Sequence, residues 1–513
     1  MAELIVQAGW VVTGIKDRNT PVIVENGAVL SRDGVIVAVG PVEDMQRTAP
    51  QAELRRYPGH VMLPGFVNSH HHVGLTPLQL GSPDYALELW FASRLPARRL
   101  DLTLDTLYSA FEMVASGITT VQHIQGWMAG GYDAIHASAT KTLDSYRSLG
   151  MRASYCYAVR EQNRLVYEAD EAFCARLPAD LGADLAAHLK AQAMPFSDFL
   201  RLFDQLREEN DGNRLTRIQL APANLHWCTD EGLVALHEKS RAAGVPMHMH
   251  LLETAYQKEY ARRRTGKTAL RHLHDLGVLG PHMTLGHGVW LTAEDIDIVA
   301  ETGTCICHNC SSNFRLRSGL APLNAWEKKG ITVGMGLDEA GINDDRDMLQ
   351  ELRLALRVHR VPGMDDDDVP TPSQVVRMAT ESGAMTTAFG AEIGRLDPGR
   401  FFDASLIDWR RATYPFQDPD IPVLDALVQR AKTECVDAVY IDGELVYAEG
   451  RFTKVDRDAV LAEIADVLGR PRSPEEVARR ELGRAVFPHV KAFYADYLPE
   501  APRDPFYAGS SVR

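Results

Sequence analysis

The chain has no hydrophobic run long enough to cross a bilayer, and its start, MAELIVQAGWVV, has neither the basic region nor the cleavage site of a secretory leader. Neither a membrane span nor a signal peptide is expected. Positive charge is also short: 54 Lys and Arg against 69 Asp and Glu leave a net charge of -15, which argues against nucleic acid or an anionic membrane as partner. The dense basic stretch from Arg262 to Arg264 reads as a solvated helix face. Cysteine is scarce and odd in number, seven in 513 residues, which is too few for a disulfide framework and fits a reducing cytoplasm. Internal repeats and low-complexity segments are missing too, apart from an acidic loop at Asp365 to Asp368. What remains is the composition of a soluble globular protein, 45% hydrophobic, long enough for one large domain and a smaller one.

The first sixty residues read as short strands, LIVQAGWVVT and GAVLSRDGVIVAVG, with Asp33-Gly34 as a hairpin-type turn. The same texture returns in RFFDASLIDW and in AVYIDGELVYAEGRF, where Asp442-Gly443 supplies the turn. One composite β-sandwich domain, built from residues 1–61 and 396–455, is therefore expected. Between these ends, eight apolar runs (VMLPGFV, TTV, RASYCYAV, RIQLA, VPMHMH, MTLGH, TCIC and ITVGMGL) alternate with helical patterns such as DEGLVALHEKSRAAG. Eight is the strand count of a closed (β/α)8 TIM barrel, placed at 62–395, although periodicity alone fits a doubly wound sheet as well. Residues 456–513 turn helical and charged. They are read as a helical C-terminal extension that packs on the barrel or on another subunit.

Four stretches carry the chemistry: GFVNSHHHVGL, VPMHMHLLET, MTLGHGVWL and TVGMGLDEAG. Each sets a His or an Asp just after an apolar run, where a buried parallel strand ends and where barrels keep their active sites. His70 and His72, two apart on a strand, point to one side and can share an ion, while His71 faces away. His250 ends the fifth run, His287 the sixth, and Asp338 follows the eighth. Three of these His and the Asp suit Zn(II), with Fe(II), Mn(II) and Co(II) as substitutes. Glu253, one turn beyond His250, sits where a general acid/base is wanted.

Together with ASGITTV, CHNCSSNFRLRSG and FGAEIGRLDPGRFFDASLID, these stretches resemble the amidohydrolase superfamily. The likeness is to the branch of the cytosine, guanine and 8-oxoguanine deaminases and the triazine hydrolases. It implies a metal held by His70, His72, His250 and Asp338, with His287 completing the coordination or hydrogen-bonding the metal's water. RIQLAPANLHW has no lysine at its strand end, so one divalent metal per chain is expected, not two. The implied reaction is attack of a metal-bound hydroxide on an sp2 carbon of an aminated N-heterocycle or related C–N compound, releasing ammonia. Asp338 would act as base and Glu253 as acid, with His287 steadying the oxygen anion. Amide, urea or carbamate hydrolysis, or displacement of a halide or amine from a triazine, uses the same groups. A silent binding protein on the same fold is disfavoured by the complete ligand set.

The chain departs from its relatives at Ala223, where many carry a His, and at Glu339 and Ile342 after the expected catalytic Asp. Candidates for the substrate wall are Gln79, Trp90, His123, Gln162, Asn163, His226, His308, Asn313 and Glu339. The reading of Cys305, Cys307 and Cys310 as a thiolate site is disfavoured, and core fillers or turn formers are the open alternatives. A cytoplasmic homo-oligomer acting on a small molecule is the expected setting.

Overall fold

The computed structural model describes residues 3–72, 74–75, 83–126, 128–361 and 363–499. Hydrogen bonding joins strands from both ends of the chain into one nine-stranded sheet. At its seam, Ala404–Asp408 runs antiparallel to Glu53–Pro64, with Ser405 opposite Leu63. Val6, Val11 and Met62 from one end share a core with Phe402, Leu406 and Tyr440 from the other.

The two Asp-Gly turns form as the sequence predicts. Asp33 and Gly34 have φ of 48° and 76°, and Asp442 and Gly443 have 56° and 77°, the paired left-handed conformation that tight hairpins require. The turns also press on one another: a Cβ at Gly34 would lie 2.2 Å from the Asp442 carbonyl oxygen, so glycine is needed there for space as well as for φ.

The run VMLPGFV is not one strand. Val61 to Pro64 end the terminal sheet, and the first barrel strand begins at Phe66 (Phe66–His71), so Gly65 is the corner between the two bodies. A Cβ at Gly65 would meet the Thr119 side chain at 2.1 Å.

Parallel strands Phe66–His71, Ile118–Gln125, Arg152–Val159 and the paired pieces Thr216–Ile218 and Ala221–Pro222 form one half of the barrel. Met247–Leu251, Met283–His287, Cys305–His308 and Val333–Met335 form the other. Parallel bridges close both seams: Leu220 to Met247 and Asn224 to His250 on one side, His71 to Asp338 on the other. Ile118–Gln125 is buried along its whole length, as a parallel strand covered on both faces must be. The helix read from DEGLVALHEKSRAAG spans Asp230–Ala243, capped by the Thr229 side chain and ended by left-handed Gly244.

The extension supplies two helices, Arg457–Gly469 and Pro474–Tyr494, the second opened by a capping box between Ser473 and Glu476. Val486, Val490 and Tyr494 of the second pack with Leu89, Ala92 and Leu95 of the segment around the helix Leu87–Ser93. The approach is close: a Cβ at Gly483 would come within 2.9 Å of the Leu95 Cβ.

Barrel and terminal sheet are tied by a buried charge. Arg152, on the third barrel strand and fully buried, donates to both Asp403 oxygens at 2.6 and 3.1 Å and to Asp442 at 2.9 Å, with its guanidinium 4.2 Å from the Phe401 ring. Removing one partner of a buried, bidentate pair leaves an uncompensated charge and costs about 3–5 kcal/mol. Asp403→Ala is therefore expected to lower the unfolding free energy by that amount, read from denaturant melts of the metal-loaded protein. An unchanged midpoint would mean that the pair is dispensable.

Candidate active site

Five of the predicted side chains meet at the C-terminal mouth of the barrel. His70 Nε2 lies 3.1 Å from His72 Nε2, which lies 2.9 Å from His250 Nε2. Asp338 Oδ1 stands 3.6 and 3.4 Å from the first two nitrogens, and His287 Nε2 is 4.0 Å from Asp338 Oδ2. The backbone turns sharply to bring them there. Leu252, His287 and Asp338 are non-glycine residues with φ of 53°, 77° and 55°, a strain held by hydrogen bonds from Asp338 N to the His70 carbonyl and from Trp290 N to that of Leu252.

The hydrogen bonds behind the imidazoles decide what they present in front. His72 Nδ1 donates to the Ile124 carbonyl and His250 Nδ1 to that of Ala223, both at 2.7 Å. Each neutral ring therefore aims an Nε2 lone pair at the other across 2.9 Å. Burial, reinforced by the neighbouring imidazoles, holds His70 and His250 well below the ordinary histidine range, and burial lowers His72 against the pull of Asp338. Protons are thus disfavoured as the bridge, and converging lone pairs beside a carboxylate fit a divalent cation. A four-coordinate zinc with bonds of about 2.0–2.1 Å sets its ligand nitrogens about 3.3 Å apart, near the spacing found. His70, His72 and His250, and likewise His70, His287 and Asp338, are sets able to hold such an ion.

His287 donates its Nδ1 proton to Asn313 Oδ1 at 2.9 Å, so the neutral ring also turns a lone pair inward. That suits ligation; donation to an oxygen anion requires the protonated ring. Asn313, read as a wall residue, instead orients His287. Glu253 Oε2 lies 3.4 Å from His287 Nε2, and Glu253 Oε1 accepts from the Ser318 hydroxyl at 3.2 Å. Burial, then the nearby Asp338 and Glu88 carboxylates, push Glu253 well above the usual carboxyl range. The Ser312 hydroxyl donates to Asp338 Oδ2 at 2.6 Å.

Of the remaining wall candidates, Trp90 and Glu339 line the cavity over these groups, and Gln79 lies outside the described residues. Four other positions are corrected together with His308. His123 shares a register pair with His71, so both face the outer helices, where His123 meets the Tyr146 hydroxyl at 2.8 Å. His308 also points outward, to His359 Nε2 at 2.9 Å. His226 packs on Tyr167 and Trp227, and its carbonyl accepts from the Gln162 and Asn163 side chains, so these three brace a loop behind the wall. Cys307 donates to Asn309 Oδ1, while Cys310 lies beside His308 and His359; the cysteines are buried and unbridged.

The sequence reading misses Leu87, Phe91, Arg94, Asn224, Gln257 and Leu316 as wall residues. Arg94 lies one helical turn from Trp90 and Gln257 one turn from Glu253, so a helical reading of each segment points to them. Arg94 Nη1 donates to Glu339 Oε1 at 3.1 Å, and burial raises Glu339 to about 7 against that pull.

Residues 61–446 match the model of the amidohydrolase family, and residues 27–52 match an imidazolonepropionase-like composite domain of bacteria. A 5-methylthioadenosine/S-adenosylhomocysteine deaminase from Symbiobacterium thermophilum is 30% identical over 487 residues, 92% of this chain and 99% of that protein. An adenosine deaminase from Xanthomonas campestris solved with bound zinc superposes with a TM-score of 0.75 at 23% identity, covering 94% of this chain and 99% of that one. The atrazine chlorohydrolase from Arthrobacter aurescens TC1, complexed with zinc, gives 0.77 at 20% identity, over 91% and 100%.

Two outcomes are expected. His250→Ala, assayed by elemental analysis after dialysis, retains less than about a tenth of the metal bound by the parent protein, since ligands and their supports typically each carry ten- to a hundredfold in affinity; full retention would remove His250 from the ligand set. The second concerns acid. His123 is held at about 3 and His359 at about 4 by burial, below the unfolded value of about 6.5. The unfolded chain therefore takes up protons that the folded chain refuses, and stability is lost as pH falls from about 6.5 toward 4, by up to about 1.4 kcal/mol per pH unit per histidine. In His123→Phe the slope of unfolding free energy against pH in this window should fall by about one proton.

Proposed function

We propose, from the premise that the chain belongs to the amidohydrolase family, that it is a zinc-dependent hydrolase removing ammonia from an aminated N-heterocycle. The observation that carries this reading is the buried Glu253 carboxyl, 3.4 Å from His287 Nε2, set beside a cluster of histidine lone pairs and Asp338. The named deaminase relative points the same way. His70, His72, His250 and Asp338 would hold the ion, with His287 facing it from the sixth strand. A bound divalent ion lowers the pKa of a water it holds from about 15.7 to about 7, making hydroxide available at neutral pH.

The chain's own groups then divide the proton work. Asp338 accepts the proton of the attacking water, its other oxygen steadied by the Ser312 hydroxyl. Glu253, oriented by Ser318 and by the bond from its own N–H to Gln257 Oε1, gives its proton to the ring nitrogen; Asp338 passes the water proton to the departing amine, so that ammonia leaves neutral, and the new hydroxyl returns a proton to Glu253 as it becomes the oxo group. Leu87, Trp90, Phe91 and Leu316 supply an apolar wall for a flat ring and keep bulk water from the reacting carbon. The C–N bond breaks, the C–O bond forms, and the heterocycle departs as its oxo form.

No helix among the described residues is long and apolar enough to cross a membrane. A cytoplasmic homo-oligomer is the setting we favour, supported by seven free cysteines and by Tyr414 and Phe416, which stand 75% and 72% exposed on one loop.

The test is mass spectrometry of products from the metal-loaded enzyme offered aminopyrimidines, aminopurines, triazines, aryl amides and ureas. Exchange of an amino group for oxygen, with free ammonia, is expected; cleavage into two fragments or loss of halide would move the protein to the amide or triazine hydrolases. Glu253→Gln should keep its metal and lose about a hundred- to ten-thousandfold in kcat. Full kcat in that variant would take Glu253 out of the mechanism.

A further inference from the structure

Two polar side chains of the cavity wall have no part in these proton transfers. Glu339 is 7% exposed and gives Oε1 to Arg94, while its Oε2 is buried with no protein partner. Asn224 is 2% exposed, and its Nδ2 is likewise buried and unpartnered. Buried polar atoms are nearly always paired, so an acceptor and a donor left over in one cavity point to a ligand that pairs with both.

Their depth identifies which part of the ligand. Asn224 is bridged to the metal-facing His250 across adjacent strands, and Glu339 directly follows Asp338. Both therefore stand level with the reacting ring, not at the mouth where a sugar or side chain would trail. Trp90, Phe91 and Trp227 line the same cavity and offer flat surfaces to that ring.

We infer that Glu339 and Asn224 read the edge of the heterocycle. The substrate carries, besides the amino group that leaves, a second N–H or NH2 donor for Glu339 Oε2 and a ring nitrogen or carbonyl acceptor for Asn224 Nδ2. It is a diamino or amino-oxo heterocycle, recognised as the base. This rests on the deaminase reading above. A ring lacking the second donor leaves the carboxylate oxygen buried and unpaired, which is how a hydrogen-bonding site rejects an analogue that a purely apolar pocket would accept.

The experiment measures kcat/KM for ammonia release by the zinc-loaded enzyme on matched pairs: 2,4-diaminopyrimidine against 4-aminopyrimidine, 2,6-diaminopurine against adenine, and the purine ribosides beside their bases. The diamino member should lead by at least about tenfold within each pair. In E339Q, Arg94 takes the amide oxygen and turns the NH2 toward the ring, so the ratio should fall toward one. The wild-type ratio decides by itself if E339Q does not fold. Ammonia released with a ratio near one, a ratio unchanged in E339Q, or turnover of ribosides but not bases overturns the assignment of Glu339 and Asn224 while leaving the deaminase standing. No ammonia from any member overturns the deaminase reading and this inference with it.

Discussion

Two imidazole lone pairs aimed at each other across 2.9 Å are the constraint around which the barrel mouth is arranged. Nothing in a neutral histidine pair favours that geometry, because both Nδ1 protons are already committed to the Ile124 and Ala223 carbonyls. Only a cation in front makes the arrangement favourable, and the backbone is bent to supply it. Both closing seams of the barrel, His71 to Asp338 and Asn224 to His250, run through or beside the clustered side chains. Closure of the ring of strands and assembly of the cluster are thus one event. Misplacing either seam would separate donors that only a closed barrel brings together.

The wall over this cluster is less a product of the barrel than of what is packed behind it. The helix Leu87–Ser93 turns Leu87 and Trp90 toward the cavity and Leu89 and Ala92 toward the C-terminal helix Pro474–Tyr494. A second line of contacts runs from the same helix to the acid. Glu88 accepts from the hydroxyls of Thr254, beside Glu253, and Tyr167, whose backbone N–H reaches the Tyr494 hydroxyl. The extension, readable in sequence only as a charged helical arm, is therefore braced against both the apolar wall and the turn that carries Glu253. Gly483 records how near the arm must come.

The side chains clustered at the barrel mouth are legible in the sequence because strand ends announce themselves. His70 and His72 share a face by period two, and an apolar run ending in His or Asp marks the barrel mouth. The same rule, applied across neighbours, explains His123 and His308. His123 stands in register with His71 and so faces outward with it, and His308 alternates with Cys307 and Asn309, which turn toward the site. Register is a property of two strands, and a single run does not disclose it. Arg94, Asn224 and Gln257 are hidden for another reason: each enters the wall from a helix or loop whose placement depends on long-range packing. The hairpin turns, by contrast, are local, since Asp-Gly alone selects the positive φ pair found at both ends of the chain.

The two carboxyls of the site, Glu253 and Asp338, differ in what surrounds them. Asp338 has the Ser312 hydroxyl on one oxygen at 2.6 Å and the His70 and His72 Nε2 atoms 3.6 and 3.4 Å from the other. Glu253 has a single hydroxyl from Ser318, an apolar wall, and the charges of Asp338 and Glu88 to repel its own. Burial and like charges nearby favour the protonated form of a carboxyl, and that is the direction in which Glu253 is pushed. The deamination proposed above takes a proton from water and delivers one to nitrogen within a few ångströms, and the asymmetry it calls for is present around these two carboxyls in two serines, a ring of imidazoles and the buried Glu88 behind Glu253.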